Sequence, residues 1–225
     1  MTHALTAAPA PVAAVAAPSQ RTTRLLLAGG IGGGPLFLGL GLVQGLTRDG
    51  FDFTRNAISQ LSLGELGWIQ VVDFLLTGSL LVAGAVGMRR ALRGGPGVTW
   101  VPRLIGVFGA SFLVCSAFRA DPGAGFPAGT PASSTVTLSA HGTVHMLSGM
   151  VGYLSLCAAF VVLARHFAVR QLRGWAVACR LMPVVVLAGF AGSAATVMAF
   201  TAGAGLGLVW LTAVSTRLRA ESAAR

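Results

Sequence analysis

From Leu25 to Thr216 the sequence is a series of solid apolar runs separated by short polar loops. Each run is close to the roughly 20 residues that a helix needs to cross a bilayer. This feature leaves few folds open. In hydrocarbon, every backbone N–H and C=O must be satisfied inside the protein, so only helices and closed barrels span. A barrel strand alternates polar and apolar residues, and these runs do not alternate. The chain is therefore read as all-α: a polytopic transmembrane helical bundle with six spans, at about 25–46, 68–88, 101–118, 139–164, 176–199 and 203–217, the last two joined by a tight turn near Thr201 to Gly205. Charged residues make up only 10% of the sequence, against about 25% in a soluble domain.

The formal net charge is +10, and every basic residue is Arg. In a soluble protein that balance would point to nucleic acid. Here the arginines sit in loops between apolar runs, so the partner they imply is the lipid bilayer, and no nucleic acid is expected. Thirteen Arg lie in the N-terminal segment, the second and fourth loops and the C-terminus; three lie in the first, third and fifth loops. The positive-inside rule then predicts a multi-pass cell-membrane protein with both termini cytoplasmic. The transmembrane domain is placed at 21–219, with 220–225 as a cytoplasmic tail. Residues 1–20 are Ala- and Pro-rich without periodicity, which predicts a disordered tail. The first apolar run lacks a small-x-small cleavage site at its end and is read as an uncleaved anchor.

Three polar stretches interrupt this pattern: Arg55 to Phe74, Phe118 to Thr130 and Ser139 to Ser148. All fall on the predicted outer side and are expected to meet there. The first predicts a short helix from Arg55 to about Leu63, lying flat at the interface with Ala57, Ile58 and Leu61 down. Asp73 lies a turn and a half inside the second span. A carboxylate there is either a ligand or acid–base group, or a structural hydrogen-bonding partner. His141 and His145 stand one turn apart at the start of the fourth span. Two His at this spacing can share a metal with Asp73 or Asp121 as third ligand, or can satisfy helix ends and loop carbonyls. The residues His141, His145, Ser148, Gly152 and Ser155 form one stripe predicted to face the bundle. Arg55 and Arg119 could clamp a lipid phosphate or a carboxylate, or pair with Asp52, Asp73 or Asp121. Ser59 and Ser62 are candidate ligand contacts or, with a His as base, nucleophiles; capping is the competing role. The three Cys lie in different runs without metal-type spacing and read as small hydrophobes.

The segments RNAISQLSLGELGWIQ, FRADPGAGFPAG and HGTVH resemble the bacterial membrane family known as domain of unknown function 998. The resemblance runs from Leu25 to about Arg219 and implies a six-helix integral membrane protein. Ser59, Leu61, Ser62, Asp121, Pro122 and His145 match its motif positions. The short, uncharged fifth loop departs from the family pattern, so no site residue is expected there. The resemblance names no substrate.

Three functions compete on this reading. One is an outward-facing polar pocket that binds a lipid headgroup or small ligand. Another is a membrane-embedded, metal-dependent hydrolase of lipid-like substrates, with Asp73, Asp121, His141 and His145 as its catalytic candidates. The third is a small transporter. The first needs no cofactor; the second would use a divalent metal such as zinc. Neither the ligand nor the oligomeric state is written in the sequence.

Overall fold

A computed structural model describes residues 20–133 and 137–223. The expected tail at 1–20 lies outside the described residues but for its last position, Gln20, which opens the first helix. Six helices are each long and apolar enough to cross a membrane: α1 (Gln20–Thr47), α2 (Gly67–Ala91), α3 (Trp100–Ala117), α4 (Ala140–Val169), α5 (Arg173–Gly192) and α6 (Val197–Ala223). No strand is present among the described residues. Each helix packs against its neighbours in sequence, and α6 closes back onto α1, so the six form a ring. Consecutive helices run antiparallel, as where Gly30 and Gly33 of α1 meet Gly84 and Leu81 of α2. One end of the ring therefore carries the first, third and fifth loops, and the other carries most of the arginines.

The glycines of α1 explain how the ring closes. A Cβ built on Gly84 of α2 would lie 2.7 Å from the Gly30 backbone of α1, and one on Gly87 would lie 2.7 Å from Leu27 N. On a neighbouring face of α1, a Cβ on Gly34 would lie 3.0 Å from the Leu208 carbonyl of α6. Such close approach lets backbones gain dispersion contacts where no hydrophobic force drives helices together. α1 continues as one helix through Pro35. Proline removes the hydrogen bond to the carbonyl four residues back, which is Ile31. Thr212 Oγ1 of α6 donates to that carbonyl at 3.3 Å, so the bond is replaced from the neighbouring helix.

Two expectations fail. The flat interfacial helix is not formed. Residues Phe51 to Leu66 instead fold inward as a cap containing one short 3₁₀ helix, Ile58–Ser62. Its apolar side chains find notches at glycines: a Cβ on Gly41 would meet Ile58, and one on Gly45 would meet the Phe53 ring. Leu61 and Ile58 are buried, at 0% and 8% exposure. The turn between the last two spans lies at 193–196, not at Thr201 to Gly205. Those residues run inside α6, where a Cβ on Gly203 would lie 2.9 Å from Gly189 Cα of α5. The glycines there serve helix contact and not a turn.

Candidate functional site

The cap draws the three polar stretches together. Asn56 is fully buried; its side-chain nitrogen donates to the Gly123 and Ala124 carbonyls at 3.3 Å, and its oxygen accepts from Asp52 N at 3.0 Å. Gln60 Nε2 donates to the Asp121 carbonyl at 3.1 Å. The Arg48 guanidinium donates to the Leu61 and Leu63 carbonyls and lies over the Phe126 ring. The fifth loop joins too: Thr196 Oγ1 and Val197 N both donate to the Thr54 carbonyl at 2.9 Å. All but the Asp52 N–H bond to Asn56 satisfy a backbone carbonyl, and that one satisfies a backbone N–H, so loop groups that no sheet pairs find partners.

The expected site residues take separate roles. Asp121 accepts from Ser139 N and Ser139 Oγ at 2.8 and 2.7 Å, and Ser139 Oγ accepts from Gly142 N as the cap of α4. A carboxylate beside a helix N-terminus is in a favourable field. His145 turns inward, and its Nδ1 lies 2.7 Å from the Phe118 carbonyl at the end of α3. His141, one turn earlier, is exposed and rests on the Phe118 ring. Of the stripe on α4, His145 and Gly152 are buried, Ser148 and Ser155 are half-buried, and His141 is exposed. Asp73 is fully buried in the α1–α2 seam, where Gln70 Nε2 and Thr77 Oγ1 donate to it at 3.2 and 3.3 Å. Gln44 of α1 completes the row, donating to Gln70 Oε1 at 2.8 Å.

The candidate metal ligands lie apart. Among the described residues no three His, Cys, Asp or Glu side chains gather as a ligand set. The reason is directional: His145 faces the ring interior, His141 faces outward, and the Asp73 carboxylate is enclosed by donors of its own helix. Asp73, Asp121, His141 and His145 thus hold different partners, and no shared acid–base group is formed by them. Arg55 pairs with Asp52 at 3.4 Å, both side chains nearly half-exposed. The Thr54 hydroxyl and amide, helped by Arg55, hold the Asp52 carboxyl below its ordinary range. Arg119 is exposed. Ser62 is fully buried and spends its hydroxyl on the Ser59 carbonyl at 2.7 Å.

Beneath the cap the ring is hollow. A cavity of about 330 Å³ opens there, close to the lower limit for small-molecule sites. Its wall is mostly apolar, with Phe37, Phe74, Phe112, Tyr153, Phe190 and Phe200 contributing the bulk. Ser59, Ser111, Cys115, His145, Ser193, Thr201 and the Tyr153 hydroxyl supply the polar side-chain atoms, and no charged side chain lines it. The expected pocket was polar; the observed one is apolar with a sparse polar trim. Of the expected site residues, Ser59 and His145 line it, while Asp73, Asp121, His141, Arg55, Ser62 and Arg119 do not. Phe190, Ser193 and Val197 do line it, although no site residue was expected around the fifth loop. The cavity opens sideways past Met146 and Met150 of α4, which are 60% and 47% exposed, and past the exposed Ser193. At 1.5 Å per residue, those methionines sit about 9 and 15 Å down α4 from its start. Toward the arginine-rich end the interior is filled: Leu27, Leu81, Met88, Phe160, Phe167 and Val214 are all at 0% exposure.

The model of the family described as Protein of unknown function (DUF998) matches residues 31–217. The chain belongs to this family. The match covers most of α1 and α6, the four helices between them and the whole cap, and every residue that lines the cavity falls inside it. No curated protein and no solved structure matches the chain.

Several of these features were readable only in part. Gln44 and Gln70 carried a signal: a polar amide inside an apolar span seeks a partner on another helix. Asn56 and Gln60 lay within a noticed motif, but their carbonyl partners are 61 to 68 residues away in sequence. The aromatic wall carried no signal, because Phe in a membrane span also suits lipid.

Proposed function

We propose that this integral membrane protein binds a small apolar or amphiphilic molecule taken laterally from the bilayer. The carrying observation is the cavity itself: about 330 Å³, walled by aromatic rings, and open past Met146 and Met150 at a depth where lipid chains lie. An aqueous headgroup site would present charge, and this wall presents none. With thirteen of the sixteen Arg at the other end, the positive-inside rule puts both termini in the cytoplasm and the cavity in the outer leaflet of the cell membrane. The filled interior at the arginine-rich end makes the cavity a blind one, which suits a binding site more than a path across the membrane.

Gly149 offers a clean test. It lines the mouth on α4, and a Cβ there meets nothing within 4 Å. Gly149→Phe should insert and fold, and its ring should plug the opening. Purified wild-type protein should gain thermal stability when titrated with a long-chain alcohol in detergent, because a ligand held only by the folded state stabilises by mass action. The plugged variant should lose most of that gain. Equal gains in both would refute the cavity as the site.

A further inference from the structure

Resting on that reading, we propose that the ligand is an uncharged single-chain amphiphile whose O–H or N–H donates to Nε2 of His145. The argument starts with the other ring nitrogen. His145 Nδ1 lies 2.7 Å from the Phe118 carbonyl. A carbonyl only accepts, so Nδ1 carries the proton, and in the neutral ring Nε2 is left as an acceptor. The ring cannot turn freely, because Phe74 packs edge-on against it at 5.7 Å between centroids. The residue is 5% exposed and lines the cavity. Among the described residues no donor reaches Nε2. Nε2 is not one of the fully enclosed unpaired atoms, so it keeps open surface on the cavity side, where a ligand or water can donate to it.

The rest of the wall narrows the class. The Ser111 and Ser193 hydroxyls are already committed, to the Phe108 and Phe190 carbonyls at 2.7 and 2.6 Å. The Thr201 hydroxyl is buried without a partner, and the Ser59 and Tyr153 hydroxyls on the same wall make no hydrogen bond among the described residues, so the wall offers a few neutral polar groups and no charge. No Arg or Lys is present to neutralise a phosphate or carboxylate, and an unpaired charge in such a wall would be strongly disfavoured. The geometry therefore selects an apolar chain ending in a neutral donor: a hydroxyl or an amide N–H. A phospholipid headgroup is excluded by the same argument.

The test uses the full chain in detergent with three probes of equal chain length: dodecanol, dodecyl methyl ether and dodecanoate. Affinities are read from thermal-shift titrations. Dodecanol, which can donate, should bind about fivefold tighter than the ether, which cannot, since a net hydrogen bond is worth about that ratio. Ionised dodecanoate should bind more weakly than either. In His145→Asn the side-chain amide can keep the donor to Phe118 while the Nε2 acceptor is lost. That variant should bind alcohol and ether equally. Should it fail to fold, the wild-type ratio of alcohol to ether decides alone. Equal wild-type binding of alcohol and ether overturns the donor assignment and leaves the cavity reading standing. Tighter binding of dodecanoate overturns the neutral class. If no probe stabilises wild type more than Gly149→Phe, both readings fall.

Discussion

Asp73 meets no cation. Among the described residues the ion pairs belong to Asp52 and Glu221, and the Asp73 carboxylate takes only an amide and a hydroxyl. Its role follows from that company: it ends a row, Gln44 to Gln70 to Asp73 to Thr77, that joins α1 to α2 inside the bundle. Interhelical polar contacts in membranes contribute about 0.6 kcal/mol on average and up to about 2 kcal/mol. Asp73→Asn keeps one acceptor and should cost about 0.6 kcal/mol, whereas Asp73→Leu orphans both donors and should cost about 1–2 kcal/mol. Unfolding in mixed detergent micelles would measure this. If Leu proves as stable as wild type, the row contributes nothing to the seam. The sequence placed Asp73 at the right depth and left its role open between ligand and structure. Its partners on α2 were three and four residues away and could have been named from helical spacing alone. The link across to Gln44 could not, because which helix faces α2 is a property of the ring.

At the level of helices, glycine decides the packing. A Cβ on Gly84 would strike the backbone of Gly30 at 2.7 Å, where no flexible side chain can yield, so Gly84→Ala must push α1 from α2. Overpacking of this kind costs about 1–3 kcal/mol. Gly32, on the same α1, would meet nothing within 4 Å, and Gly32→Ala should be neutral or slightly stabilising. Melting temperatures of the two variants in detergent test the pair, and a loss at Gly32 equal to that at Gly84 would mean helix propensity, not contact, is at work. The same residue type misled the reading of the chain. The apolar runs displayed the first four helices to within about five residues at each end, because span length is set by bilayer thickness. The run of Thr201 to Gly205 looked like a turn, since glycine breaks helices in water. In a bundle it instead lets α5 and α6 touch. The true turn, at 193–196, has neither Gly nor Pro; Ser193 Oγ holds the Phe190 carbonyl and Thr196 ties it to the cap. The cap was misread for a related reason. Ile58 looked like a membrane-facing residue of a flat helix, and only the notch at Gly41 gives it somewhere better to go.

The whole molecule is asymmetric along the membrane normal: hollow under the cap, packed at the arginine-rich end. On the proposed reading, which leaflet would feed the cavity depends on orientation alone. Six antiparallel spans put both termini on one side whatever the direction. The direction is then a matter of charge, and thirteen Arg against three is a strong bias. Glu221 takes part of that charge by bridging Arg170 and Arg217 at 3.1 and 2.9 Å, but the rule counts basic residues and not net charge. We expect the cap to face outward. Ala128 and Thr99 are exposed at opposite ends and suit cysteine labelling, in a background where the buried Cys115, Cys157 and Cys179 are replaced by Ala. In intact cells an impermeant maleimide should label Ala128→Cys and should reach Thr99→Cys only after permeabilisation. The reverse pattern would turn the molecule over and make the inner leaflet the source of ligand, with the cavity chemistry unchanged. Labelling of both positions in intact cells would contradict the antiparallel six-span ring itself, because no odd number of crossings would then separate the third loop from the second.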